Sequence, residues 1–379
     1  MKSPIIIVLL FLFSATQVNA QSTENYNTIF IPKNLQENAD AVIRNSNLEY
    51  EVFSASSTRK KVHLAVTLMN KNSDMNELIV YYNQYSKVKK VNAAIYDASG
   101  RLIRKIRKEE ISDMSAISRG TLHSDSRVKY LEVNYNIYPY TVVYDYEITY
   151  SGVLRYPDWN ILPEPNVSVI SSSYSIVMAY NLELRYQAKN IEIEPIINKS
   201  GKKTSYSWST QNVKPIIAES YTSRLGMIFP KVKMAPTNFS IAGYSGNMSS
   251  WENFGRFIYE LNKGRDVVPK KIANEVKDLT KDATTDEEKI AIIYDYLQEN
   301  TRYISIQLGI GGWQTFTSKY VAEKKYGDCK ALTYYMKGML REVGINSYPA
   351  LVNAGRSFRK VDEDFPQAAF NHIILCVPQ

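Results

Sequence analysis

Sulfur and imidazole are scarce in this chain, with two cysteines and three histidines among 379 residues. A disulfide framework is excluded, since two cysteines allow one bridge at most. His63 and His123 have no ligand-spaced partners, so no metal site and no cofactor are expected. No segment after the first twenty residues holds 18 consecutive apolar residues, so no integral membrane segment is expected. Gly309, Gly311 and Gly312 lack the G-x-G-x-x-G spacing and a strand-to-helix setting, which argues against a phosphate loop. Acid is short relative to base: 38 Asp and Glu against 46 Lys and Arg leave a net charge of +8. The densest basic run, Arg101-Leu102-Ile103-Arg104-Lys105-Ile106-Arg107-Lys108, alternates with apolar residues after a turn at Asp97-Ala98-Ser99-Gly100. That pattern predicts a half-buried strand, and nothing else resembles a nucleic-acid motif, so no nucleic-acid partner is expected. The positive balance leaves an unspecific attraction to acidic polymers, which makes a cell-envelope polymer a candidate partner.

The scarce residues stand in informative places. Cys329 lies in Tyr326-Gly327-Asp328-Cys329-Lys330 and opens a segment in which Leu332, Tyr335, Met336, Met339, Leu340 and Val343 recur at helical spacing. Asp328 suits the N-cap, and Gly344 suits the glycine position just past a helix end. The pattern predicts a helix with the thiol in its first turn, where backbone N–H groups and the positive end of the macrodipole point at it. Thiolates are stabilised in such surroundings, and a sulfur nucleophile can be built there without a metal. An inert, packed cysteine is the plainer reading of the same pattern.

The stretch Ala369-Phe370-Asn371-His372-Ile373-Ile374-Leu375-Cys376-Val377 predicts a short strand rich in branched residues. His372 is the one histidine in the same region as Cys329. A helix-start cysteine followed by a strand-borne histidine has the order of a nucleophile–base pair, while a half-buried structural histidine is the alternative. Cys376 falls on the same strand face as His372, about 13 Å further along at roughly 3.3 Å per residue. If His372 reaches Cys329, Cys376 cannot, and a buried apolar Cys376 is expected.

The C-terminal part resembles the transglutaminase-like superfamily, whose members share a papain-like core. The matching residues run in order: Trp251, Phe254, Phe257 and Leu261; Glu288-Lys289-Ile290; Asn300-Thr301-Arg302-Tyr303-Ile304-Ser305; Gly309-Ile310-Gly311-Gly312-Trp313-Gln314; Tyr326-Gly327-Asp328-Cys329-Lys330; and Phe370-Asn371-His372. The upstream half looks like the β-rich domain of unknown function that precedes this core in secreted bacterial proteins. The resemblance implies a Cys-His-Asp site, with Cys329 as nucleophile and His372 as base. It places the Asp after the His, and the chain stops at Gln379, so a core truncated at its C-terminus is expected. Asp362 and Asp364 precede the His and do not match that position. In papain-like sites the oxyanion is held by the nucleophile's own N–H and a side-chain donor, which makes Trp313 and Gln314 the oxyanion candidates; a tight turn with a packed Trp is the other reading.

The chain divides by pattern. Lys2, the apolar run Ile5 to Phe13, and Val18-Asn19-Ala20 predict a signal peptide over 1–20 and export to the periplasm or beyond. Residues 21–45 read as a leader. From 46 to 210 the pattern is β: Tyr144, Tyr146, Ile148 and Tyr150 alternate with Asp145, Glu147 and Thr149, and many short strands with turns between them predict an antiparallel β-sandwich. Most of the 29 tyrosines fall here or in the linking region, as strand packing or as a binding face for glycan or peptide. Residues 211–248, with Pro215, Pro230 and Pro236, predict an extended connector and the domain boundary. Helices follow in a partial α+β core, 249–379. Ser249 with Glu252, and Thr285 with Glu288, predict capping boxes, and Pro269 precedes an apolar stripe of Ile272, Val276 and Leu279. The function expected is a cysteine-dependent amide or peptide hydrolase or acyltransferase working through a thioester, on peptide, protein or peptide-like amide substrates. A non-catalytic binding module with a degenerate core is the alternative.

Overall fold

The computed structural model describes residues 25–116, 121–217, 219, 227–355 and 361–378. The expected signal peptide lies outside them. The alternating segments of the first half form an eight-stranded sheet. Its strands, from edge to edge, are Ile196–Ser200, Lys203–Val213, Val167–Ala179, Ala41–Ser54, Ser57–Leu68, Tyr140–Tyr150, Ser86–Tyr96 and Leu102–Lys105. Alternation decides which side is core: Tyr140, Val142 and Tyr144 are buried on one strand, and Tyr174, Ile176 and Met178 on another. Two three-stranded sheets share that core. One holds Glu77–Tyr82, Arg127–Glu132 and Ser112–Ser115; the other holds Trp159–Asn160, Lys231–Pro236 and Leu184–Lys189.

Four expectations need correction here. The sheet is mixed, because Ala41–Ser54 runs parallel to Val167–Ala179 with Ala41 opposite Val167. The basic run forms an edge strand, Leu102–Lys105, exposed on both faces rather than half-buried. The leader is folded from residue 25: a short helix α1 (Lys33–Gln36) buries Leu35, and Ile31, Ala39 and Val42 form a small cluster. The segment expected as an extended connector carries three strands, one of which buries Val232 and Met234 completely in the β core. Pro236 closes that strand, which shows why proline read as linker.

The hairpin Asn238–Ile241 and Tyr244–Asn247 leads into the helical part. Its Phe239 packs edge-on against Phe257 of α2 (Trp251–Asn262) at 4.8 Å. The cap of α2 is Ser250, whose side chain accepts from the Asn253 N–H; Ser249 stands one residue outside, so the expected Ser249–Glu252 capping box does not form. Then come α3 (Lys270–Leu279), α4 (Asp286–Asn300), α5 (Ser318–Lys324) and α6 (Cys329–Glu342). The Thr285–Glu288 capping box of α4 is complete, with N–H donation in both directions at 3.2 Å. On α3, Ile272 and Val276 are buried and Leu279 is exposed.

α6 is the centre of this domain. Ala331, Tyr335, Met339 and Leu340 are buried against Ile272 and Val276 of α3, Ile293 of α4 and Val321 of α5. It ends as the sequence predicts: Gly344 takes φ +85°, its N–H reaches Arg341 O at 3.1 Å, and the Ile345 N–H reaches Leu340 O at 3.0 Å. The antiparallel pair Tyr348–Val352 and His372–Cys376 packs on the same helix. Among the described residues no helix is long and apolar enough to cross a membrane.

Candidate active site

Cys329 is the first residue of α6, directly after the N-cap. Asp328 caps the helix by accepting the Ala331 N–H at 2.9 Å on one carboxylate oxygen. The other oxygen pairs with Lys330. Both partners are buried, with 1 % and 7 % of their surface exposed. An uncompensated charge at either position would be costly, so the pair fixes the first turn around the thiol.

Gly327 is required by contact. A Cβ there would stand 2.7 Å from Ala331 Cβ, so only glycine lets the first turn of α6 settle onto the strand before it. That strand, Tyr326–Gly327, pairs in parallel with Arg302–Tyr303, placing Tyr303 opposite Gly327. The Ile304 N–H donates to Gly327 O at 3.0 Å and locks the register. Tyr303 thereby reaches Cys329. Its ring is largely exposed, and its phenol stands near enough to Cys329 for the sulfur to act on it. Burial, then the negative charge of the sulfur, pushes this phenol up to about 12.

His372 begins the second strand of the pair, opposite Val352, and is half-buried. Ile373 is buried, and Leu375 packs into the α6 cluster. The two residues before the histidine hold its backbone. Phe370 packs edge-on against Trp251 at 5.6 Å. Asn371 spans to the neighbouring turn, accepting the Ala354 N–H at 2.8 Å and donating to Ala354 O at 2.9 Å. Cys376 is exposed, which corrects the expected burial: on this strand 373 and 375 face the core, while 374 and 376 face out. Both thiols are free.

The oxyanion candidates are engaged with α2. Trp313 packs edge-on against Phe254 at 6.2 Å. The Gln314 side-chain amide donates to Leu261 O at 3.0 Å and to the Tyr244 hydroxyl at 3.3 Å. The structure thus gathers Asp328, Cys329, Lys330 and Tyr303 at one helix start and sets His372 on the strand packed along that helix. It places Trp313 and Gln314 against a different helix. Sequence reasoning gave no role to Tyr303 or Lys330. Tyr303 sits in a two-residue strand with no periodicity of its own, and only the parallel pairing shows its reach. Among the described residues no group of three or more His, Cys, Asp or Glu is placed to hold a metal ion.

Residues 272–354 match the sequence model of the Transglutaminase-like superfamily. Residues 54–217 match that of DUF3857, a domain of unknown function with a solved structure. No curated protein matches. Among solved structures, that of a "putative protease" from Parabacteroides distasonis aligns with a TM-score of 0.66 at 16% identity, over 89% of this chain and 65% of that one. This chain therefore spans just under two thirds of that protein, and the likeness shows a shared fold. An M1 zinc metallopeptidase from Deinococcus radiodurans aligns at a TM-score of 0.25 and 7% identity, over 55% of this chain and 46% of that one, too weak a likeness to carry an argument.

Proposed function

We propose that this chain, a DUF3857 β domain joined to a transglutaminase-like domain, is an exported cysteine-dependent amide hydrolase or acyltransferase. The observation that carries the reading is Cys329 at the first position of α6, with its cap and flanking ion pair buried around it. In the proposed step the Cys329 sulfur attacks the carbonyl carbon of an amide and forms a C–S bond. His372 passes a proton to the departing amine as the C–N bond breaks, which leaves a thioester. Water as acceptor then gives hydrolysis, and an amine gives transfer. Substrates would be peptides or peptide-like amides. Export rests on Lys2, the apolar run Ile5 to Phe13 and the small-residue site at Val18-Asn19-Ala20.

The test is release of amine from a mixed peptide library by the purified protein, beside Cys329→Ala and His372→Ala. Loss of at least about a hundredfold in both variants supports the assignment, the size expected for a general base. Cleavage that persists in Cys329→Ala rejects it. A protein that never cleaves, yet binds peptide equally well with either residue replaced, is the non-catalytic module instead. Fractionation of cells expressing the chain with and without residues 1–20 tests export.

A further inference from the structure

One cation of the β domain is held in a way that ion pairing does not explain. Arg185, on the strand Leu184–Lys189, is half-buried, and burial disfavours its charge. Among the described residues its hydrogen bonds go to two backbone carbonyls, Pro236 O at 3.2 Å and Pro366 O at 2.7 Å, and its Nε–H has no partner. A half-buried guanidinium with no carboxylate hydrogen-bonded to it is a poor source of stability, and an apolar residue of similar volume would serve the core as well. Its distinctive feature is the pair of carbonyls it joins. Pro236 ends a strand of the β core, whereas Pro366 stands six residues before His372.

The chain between Pro366 and His372 has no slack. The Gln367 side chain donates to Asp158 Oδ1 at 3.0 Å and to Met234 O at 3.1 Å, both in the β domain. Asp158 is fixed in turn by the Met234 N–H at 3.0 Å. Ala368 is buried in one cluster with Phe254 and Phe257 of α2. The Ala369 N–H donates to Gln367 O at 2.8 Å, and the Asn371 N–H donates to Val352 O at 3.2 Å. Phe370 packs on Trp251. Each residue from 366 to 371 is thus held by a hydrogen bond, by packing or by burial, and His372 follows as the first residue of its strand. At the other end the Phe365 ring lies under the Arg185 and Lys233 cations, at 5.3 and 4.7 Å, so the grip on this run is directional.

We infer that Arg185 is a positioning residue for His372: it ties Pro366 to the β domain and so sets, through residues 366–371, where the imidazole stands along α6. The inference rests on the nucleophile–base reading given above and adds to it that the DUF3857 domain is part of the working site. Displacing a reacting group by about 1 Å can cost on the order of a hundredfold in rate. A grip outside the site therefore bears on the chemistry.

A double-mutant cycle on the full chain tests this, read as the rate at which iodoacetamide labels Cys329 relative to the exposed Cys376. The four proteins are the parent, Arg185→Met, His372→Ala and the two together. His372→Ala should slow labelling of Cys329, because the neighbouring base is gone. Arg185→Met should slow it by at least about threefold while His372 is present, and not at all in His372→Ala, as directly coupled residues behave. A residue that only stabilised the fold would act equally in both backgrounds, and that result overturns the inference. Gln367→Leu loosens the same run at the next residue and should reproduce the pattern, so it decides alone if Arg185→Met does not fold. In peptide cleavage Arg185→Met should lower kcat and leave KM unchanged; a raised KM with kcat intact would mean that Arg185 binds substrate, and overturns the positioning role. The two readings fail separately. Labelling of Cys329 that ignores His372→Ala would overturn the base assignment itself, whereas a His372 effect with an additive Arg185 effect would overturn only the positioning.

Discussion

Asp328 serves the site in two ways that can be separated by substitution. It caps α6, and it neutralises a lysine that is itself buried. Asp328→Asn keeps a cap of comparable quality but strips Lys330 of its counter-charge. Breaking a buried pair on one side costs roughly 3–5 kcal/mol. Asp328→Asn should therefore lose about that much in urea unfolding, and adding Lys330→Met should recover most of it. A double variant no more stable than the single would show that the cap, not the charge, holds this turn. Tyr303 acts on the sulfur instead. Its phenol, raised first by burial and then by the Cys329 charge, stands beside the thiol. Tyr303→Phe removes that polar neighbour, and a polar contact of about 1 kcal/mol lost before reaction is about fivefold in rate. Iodoacetamide should therefore label Cys329 about five times faster in the variant at neutral pH, read by mass spectrometry of the Cys329 peptide. Cys376 is exposed and away from this turn, so its labelling serves as the internal reference and should not change. Equal Cys329 rates in parent and variant would show that the hydroxyl does not guard the thiol.

At the scale of elements, the helical domain was the more legible half. Residues Leu332 to Val343 carried full helical periodicity, Asp328 and Gly344 marked the ends, and the structure puts α6 there with both caps in place. Local chemistry determines such ends. The β domain was legible as strands but not as a sheet, because pairing is non-local: nothing near Ala41 announces a parallel partner at Val167. The stretch 211–248 misled for a related reason. Its prolines and glycines are loop signals, yet Pro236 can close a strand that buries Val232 and Met234 on alternate positions. At the site, Cys329 and Asp328 were readable from a helix start, whereas the reach of Tyr303 depended on a two-residue parallel pairing. The misreading has a measurable consequence. A β-domain fragment ending at Val213 lacks Lys231–Pro236, the strand that pairs with both Leu184–Lys189 and Trp159–Asn160. It loses two fully buried side chains worth about 1.5–3 kcal/mol each. That fragment should be insoluble or melt well below one ending at Asn247. Equal melting temperatures for the two would mean that 231–236 belongs to the helical domain rather than to the β core.

The whole molecule is clasped by a short arm, residues 362–367. Trp251 donates to the Asp362 and Glu363 carbonyls, Arg185 donates to Pro366 O at 2.7 Å, and the Arg185 and Lys233 cations flank the Phe365 ring at 5.3 and 4.7 Å. The domains should therefore unfold together rather than in two steps. The cooperative unit buries several tyrosines, which gives it a pH signature. Burial pushes Tyr140 and Tyr150 up to about 12, and raises Tyr144, Tyr156, Tyr50 and Tyr174 further. Each phenol is almost wholly neutral in both states below about pH 9, so its share of stability is intact there. Between pH 10 and 12 the unfolded chain ionises while the folded one keeps its protons, and stability falls as pH rises. Tyr140 alone should remove about 1 kcal/mol per pH unit in that window, and the others add to it. Urea unfolding at pH 7, 9 and 11.5 should show a midpoint nearly constant over the first interval and dropping steeply over the second, with absorbance at 295 nm rising in the same step as the loss of far-ultraviolet ellipticity. Full tyrosinate absorbance reached while the sheet is still intact would contradict the buried hydroxyls, and two separated ellipticity steps would contradict the clasp.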